Sequence, residues 1–196
     1  MSRPLRYAVI PTRDREAKYL RCVQAIRAQV DGLITVAHMD APYAVGHVLP
    51  YRADPPNISR MWNLGLSAAA SLADDAPHEV AILNDDVVVP PRWFDTLSAG
   101  LAANGHVLGS GRWPRSPTPS MCGAAFLIHG NTIRPNEAWP WYGSDDWLEH
   151  EAERSWGGWT RLPDLRIEHD HEDLPPGELR RLARADSRAW MSGERR

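Results

Sequence analysis

Three short apolar runs, each passing abruptly into polar residues, constrain the fold of this chain most. Leu5 to Ile10 gives way to Pro11-Thr12-Arg13, Gly32 to Ala37 to His38-Met39-Asp40, and His78 to Leu83 to Asn84-Asp85-Asp86. Runs of about six residues have the length of buried strands, not of helices. Between the first two lies Asp14 to Gln29, where Tyr19, Leu20, Val23 and Ile26 fall on one helical face and Thr12 or Asp14 can serve as cap. Strand, helix, strand at this spacing predicts a βαβ unit and a parallel sheet.

The remainder continues the pattern less regularly. A proline-punctuated connection, Ala41 to Pro56, has room for a short strand near Gly46 to Pro50. Helices are expected at Ile58 to Leu72, Pro91 to Ala103 and Ser144 to Trp156. Strands are expected at His106 to Ser110, Gly123 to Ile128, and near Trp159 to Leu162 and Leu165 to Glu168. Arg112 to Ser120, with three prolines and two serines, reads as an exposed mobile loop, and Pro175 to Trp190 as a terminal helix. The 196 residues are enough for one domain. The division expected is a domain over 1–174 with an Arg-rich appendage over 175–196, giving a single α/β domain whose sheet is mostly parallel and flanked by helices.

Composition narrows the functional classes. Cys22 and Cys122, the two cysteines, are too far apart in sequence for a disulfide framework or a Cys-based zinc module. The first apolar run is too short for a signal peptide and no run approaches a membrane span, so the default is a soluble protein of a reducing cytoplasm. The net charge of −3 is unevenly spread: from Glu178 onward six arginines face Glu178, Asp186 and Glu194, a local +3 that leaves −6 for the rest. Seven of the nine tryptophans lie between Trp93 and Trp159, suited to core packing or to stacking on sugars and bases.

Four clusters have the residue types that chemistry needs. Asn84-Asp85-Asp86 delivers two carboxylates and an amide to the C-terminal end of a strand, where open α/β sheets bind ligands and where hard cations find oxygen. Ser144-Asp145-Asp146 opens a helix, as capping residues do, or as a general base beside aromatic walls that raise its pKa. His169 and His171 alternate onto one face after a strand and either could ligate a metal held by Asp86. Asn57, Arg60 and Asn63 share a helical face, with Gly65 allowing close approach.

Taken in order along the chain, these features resemble the family-2 glycosyltransferases of the GT-A fold. The resemblance covers roughly residues 6–171, and Leu83-Asn84-Asp85-Asp86-Val87 followed by Val89-Pro90-Pro91-Arg92-Trp93-Phe94 is particularly similar to that family's metal-motif region. It implies that Pro11, Thr12 and Arg13 line the nucleotide base, that Asp40 bonds base or ribose, and that Arg60 and Asn63 sit near the diphosphate. It implies further that Asn84, Asp85 and Asp86 stand at the Asp-x-Asp motif, Asn84 replacing the first acid, with Asp86 a ligand of Mn²⁺ or Mg²⁺. His169 fits the late metal-binding histidine, with His171 as fallback. Asp145 and Asp146 stand at the family's Glu-Asp, Asp146 at the catalytic base.

The activity so implied is inverting transfer of a sugar from a nucleotide-sugar donor, most often a UDP-sugar, to an acceptor hydroxyl. Gly123 and Trp113 are placed on the acceptor side, and Trp139, Trp141 and Trp147 would wall the sugar or acceptor. For the acceptor the reading leans to a hydroxymethylated pyrimidine in DNA, as in virus-encoded DNA-modifying enzymes. Arg180, Arg181, Arg184 and Arg188 put three guanidiniums on one helical face to track phosphates, and a base would leave the duplex to react. A protein or glycan acceptor is the alternative. A nucleotidyltransferase is disfavoured because Pro11 to Arg15 lacks a Gly-rich phosphate loop, and a non-catalytic sugar- or nucleotide-binding module is hinted at only by Asn84.

Overall fold

The computed structural model describes residues 3–114, 120–140 and 143–170, together with 181, 184–186, 188, 189 and 192. The three apolar runs form β1 (Leu5–Thr12), β2 (Gly32–His38) and β4 (His78–Leu83), and the short run expected after Gly46 forms β3 (His47–Tyr51). The other strands are β5 (Val87–Val88), β6 (Leu108–Arg112), β7 (Ala125–His129), β8 (Thr160–Arg166) and β9 (Glu168–His169). The helices are α1 (Glu16–Ile26), α2 (Ile58–Ala73), α3 (Trp93–Asn104) and α4 (Ser144–Trp156). Where two strands were expected between Trp159 and Glu168, β8 runs continuously, with its register against β6 shifted between Ser110 and Arg112.

Seven strands form one sheet in the order β3-β2-β1-β4-β7-β6-β8, and β5 and β9 pair antiparallel beside it. The first four strands are mutually parallel. β7 runs antiparallel to both neighbours, and β6 and β8 are parallel to each other. Side-chain alternation divides the core into two layers. Tyr7, Val9, Val80, Ile82 and Phe126 meet Trp62, Leu66 and Leu148 of α2 and α4 on one face. Ala8, Ile10, Ala81, Leu83 and Leu127 meet Tyr19, Ile26, Phe94 and Leu97 of α1 and α3 on the other. Burial on both faces is why these strands read as unbroken apolar runs. Gly65 lets α2 lie directly on β1, since a Cβ there would overlap the Val9 side chain.

Three local expectations change. The face of α1 is Tyr19, Cys22 and Ile26, with Val23 packed beside them as expected, whereas Leu20 is 42% exposed. Neither Thr12 nor Asp14 caps α1: Arg15 holds that position, without a side-chain cap bond, and Asp14 has a left-handed φ of 51°. The helix α4 is preceded by Gly143 at φ 83°, so Ser144 lies inside its first turn and not at the cap. At Asn57 the expected cap is present, its side chain accepting from the Arg60 amide at 3.0 Å.

Candidate active site

Parallel alignment fixes where the polar residues go. β3, β2, β1 and β4 all end at the same edge of the sheet, so Arg52, Met39-Asp40, Thr12-Arg13 and Asn84-Asp85-Asp86 emerge there in that spatial order. β7 runs the opposite way, and therefore the segment leading into it, Met121 to Ala124, lies on that edge as well. The ends of β6 and β8 add Trp113 and, through β9, His169. Residues separated by more than 150 positions thus converge on one rim, the position at which open α/β sheets take ligands.

The carboxylates of the Asn-Asp-Asp turn are the focus. Thr12 Oγ1 donates to Asp85 Oδ2 at 2.9 Å, and Arg15 Nη1 lies 2.9 Å from Asp86 Oδ2 and 3.6 Å from Asp85 Oδ1. His169 Nε2 lies 3.2 Å from Asp86 Oδ1, and the Asp170 amide donates to the Asp86 carbonyl at 3.1 Å. The Trp113 ring meets the His169 ring edge-on, with centroids 5.2 Å apart. Burial pushes the Asp85 carboxyl up to about 6, opposed by Arg15 and Thr12 and reinforced by the Asp86 carboxylate. Burial also disfavours ionised Asp86, but His169 and Arg15 outweigh it and hold that carboxyl below its ordinary value. Asn84 donates its amide N–H to Ala124 O at 2.8 Å, while its side-chain Oδ1 is buried without a donor.

This donor set suits a divalent cation. Asp86 Oδ1 is buried with no well-aligned hydrogen bond, and its 3.2 Å separation from the imidazole nitrogen is close to the ~3 Å between adjacent ligands of an octahedral ion with ~2.1 Å bonds. The carboxylate suits Mn²⁺ or Mg²⁺, and an imidazole beside it suits a transition ion such as Mn²⁺ better than Mg²⁺. Among the described residues no group of three His, Cys, Asp or Glu side chains is gathered around a metal position, so two protein ligands would leave the other places to phosphate oxygens and water.

The second acidic pair separates into two environments. Asp145 faces Gly123 so closely that a Cβ at Gly123 would overlap its Oδ2. One turn on, Glu149 Oε2 accepts from the Met121 amide at 2.8 Å, so Asp145 and Glu149 present one face of α4 to the rim segment. Burial, with help from the neighbouring Asp146 carboxylate, pushes the Asp145 carboxyl up to about 6. Asp146 is turned by ~100° around the helix, and burial raises its carboxyl.

The start of α4 is set from below by a buried hydroxyl pair: Ser59 Oγ donates to Trp139 O at 2.5 Å and lies 2.7 Å from Ser144 Oγ. Arg60 and Asn63 hold the segment leading to α4: Arg60 Nε pairs with Glu137 Oε2 at 3.0 Å, and Asn63 Nδ2 donates to Glu137 Oε1 and Pro135 O, each at 3.0 Å. They are not gathered with the Asp85-Asp86 cluster. Asp40 is exposed and pairs with Arg52 at 3.1 Å, Arg13 pairs with Asp14 at 3.4 Å, and Pro11 is buried at the end of β1. Trp139 is wholly buried and serves the core instead of walling a sugar, and Trp147 packs against the core while partly buried. Trp141, His171 and Arg180, and residues 115–119 of the loop expected over Arg112 to Ser120, lie outside the described residues, while Arg112 itself closes β6. Arg181, Arg184 and Arg188 are exposed on helical backbone.

Sequence reasoning missed Arg15, Tyr43, Ser59 and Glu137. Tyr43 Oη lies 3.3 Å from Thr12 Oγ1 and accepts from the Arg15 amide at 3.3 Å, tying the connection after β2 to the rim.

Neither a protein-family model nor a curated protein sequence matches this chain. Solved structures do. The mannosyltransferase PcManGT from Pyrobaculum calidifontis, in complex with GDP-Man and Mn²⁺, superposes with a TM-score of 0.65 at 13% identity, over 88% of this chain and 59% of that one. The fold is GT-A. GalNAc-T7 with UDP, GalNAc and Mn²⁺ gives 0.67 at 12% identity, over 85% and 44%. TarS 1-349 of S. aureus with UDP gives 0.63 at 11% identity, over 83% and 59%. This chain therefore spans about half the length of these neighbours. No helix among the described residues is long and apolar enough to cross a membrane.

Proposed function

We propose that the chain is an inverting glycosyltransferase that takes a sugar from a nucleotide-sugar donor, a UDP-sugar foremost, and transfers it to an acceptor hydroxyl. The observation that carries this reading is the convergence of Thr12, Asp85, Asp86 and His169 on the sheet rim that Asp145 approaches across Gly123. Similarity in fold to transferases solved with GDP-Man or UDP and with Mn²⁺ supports it.

Asp86 and His169 would hold the divalent cation, which when bound supplies positive charge opposite the diphosphate leaving group. Thr12, Arg13 and Asp40, at the ends of β1 and β2, bind the nucleoside. Asn84 offers its unpartnered Oδ1 as acceptor for a donor hydroxyl. Asp145 is the general base. A carboxyl raised to about 6 is largely ionised at neutral pH and basic enough to accept a proton from the attacking hydroxyl. Asp146, to which the family resemblance gives that role, is turned about a quarter-turn around α4 from the face that meets Gly123. One base acting in one displacement gives inversion at the anomeric carbon, the logic of inverting glycosidases with a nucleotide as leaving group.

The finer reading, transfer to hydroxymethylated pyrimidine in DNA, rests on the exposed arginines 181, 184 and 188 and on Trp113 at the rim. If it holds, DNA binding weakens steeply with salt, and Arg181→Ala with Arg184→Ala flattens the slope. Salt-independent activity, or modification of protein or glycan in its place, overturns it. For the transferase itself, nucleoside diphosphate release is measured from a panel of sugar nucleotides with Mn²⁺ and with EDTA. Metal-dependent release from at least one donor is expected, and its absence across the panel, with no transfer product, overturns the reading.

A further inference from the structure

We propose that Arg15 is the resident counter-cation of the Asp85-Asp86 pair and makes divalent-metal binding depend on the donor diphosphate. The inference rests on the nucleotide-site reading above and concerns a residue that reading does not use.

The four carboxylate oxygens divide among three neighbours. Asp85 Oδ2 accepts from Thr12, and Asp86 Oδ1 faces His169. The other two, Asp86 Oδ2 and Asp85 Oδ1, both face Arg15 Nη1, at 2.9 and 3.6 Å. Two adjacent carboxylates this deeply placed need a positive charge nearby, and Arg15 supplies it. Lys18, on the following turn of α1, is engaged instead by Asp170 at 3.3 Å.

Arg15 is also aimed. Its amide donates to Tyr43 Oη, which lies beside Thr12 Oγ1, so the backbone at the start of α1 is pinned to the rim while the guanidinium reaches across to the carboxylates.

The consequence is electrostatic. A dication approaching Asp86 and His169 meets two protein ligands and a guanidinium on the opposite carboxylate oxygen. Attraction to the carboxylates is offset by repulsion from Arg15, so the metal alone binds weakly. A diphosphate changes both conditions: it brings negative charge and oxygen ligands, and it offers the guanidinium a matching planar partner. Arg15 can then exchange Asp86 Oδ2 for a phosphate oxygen, and metal and nucleotide enter together.

The test is a Mn²⁺ titration of the full chain followed by electron paramagnetic resonance of the free ion, with and without saturating UDP, each referenced to the same titration without protein because UDP itself binds Mn²⁺. Wild type should bind Mn²⁺ weakly alone and at least tenfold more tightly with UDP. Arg15→Gln, which keeps a long polar side chain without charge, should bind Mn²⁺ alone roughly tenfold or more tightly than wild type, so that the further tightening by UDP is smaller than in wild type. Arg15→Lys keeps the charge and should bind Mn²⁺ alone as weakly as wild type, which separates electrostatics from misfolding. Tightening by UDP in wild type with an unchanged or weakened Arg15→Gln overturns the Arg15 inference alone. No Mn²⁺ site in wild type even with UDP overturns the metal reading of Asp86 and His169, and this inference with it.

Discussion

Replacing Asp145 by Asn should remove activity and stabilise the protein at once, because both effects have the same physical origin. The Asp145 carboxyl is raised from 3.8 to about 6, chiefly by burial. Two units at 1.36 kcal/mol each set an upper bound of about 3 kcal/mol on the cost of its charge in the folded state. Asp145 retains some solvent contact, which reduces the expectation to about 1–2 kcal/mol. A folded-state pKa above the unfolded value means that this group favours folding below about pH 4 and that the advantage is lost as pH rises through about 6. Asn carries no such charge. At pH 8 Asp145→Asn should therefore melt roughly 2–8 °C above wild type, given about 2–4 °C per kcal/mol for a chain of this size. At pH 4 the two should melt together. Calorimetry at both pH values, paired with turnover on the active donor, is the assay. Turnover should fall by about a hundredfold or more with donor affinity little changed. Loss of activity in Asp146→Asn with retention in Asp145→Asn, or a melting difference independent of pH, would refute the reasoning.

Other consequences are open to direct measurement. Ser59→Ala removes the hydroxyl that joins Trp139 O to Ser144 Oγ, and losing these two buried hydrogen bonds costs about 1–3 kcal/mol. Because Ser144 precedes Asp145, kcat should fall while the donor KM stays near wild type, and a KM change alone would contradict the role. Gly65→Ala should destabilise by about 1–3 kcal/mol or more through overpacking against Val9, although helix propensity alone favours alanine by about 1 kcal/mol. A more stable variant in a denaturant melt would show that α2 can move off β1.

What the sequence made legible was periodic or punctuated. The apolar runs located β1, β2 and β4, and their abrupt ends located the rim, because a buried parallel strand must show both features. The Asn-Asp-Asp turn stood out for the same reason. Tyr19, Val23 and Ile26 lie on the face of α1 that their spacing predicts; Leu20 does not, because Leu20 and Cys22 both fit a helical stripe and only the partner sheet decides between them. Arg15 was passed over because a guanidinium's partner is set by tertiary placement: Asp86 is 71 positions away, and nothing local marks the pairing. Arg60 and Asn63 looked like ligand-facing residues because shared helical spacing specifies a face and says nothing of what covers it. Glu137, which they hold, carries no motif. Trp139 illustrates the same limit, since aromatic content announces burial and stacking alike.

The central claim, that this rim binds a nucleotide diphosphate with a divalent cation, is tested most directly by a crystal structure of the chain grown with UDP and Mn²⁺, with diffraction recorded on both sides of the manganese edge. The account predicts one strong anomalous peak bonded to Asp86 Oδ1 and His169 Nε2, shared with diphosphate oxygens, and the uridine over the ends of β1 and β2. Nucleotide bound away from this rim, or an anomalous peak that touches neither Asp86 nor His169, would contradict it.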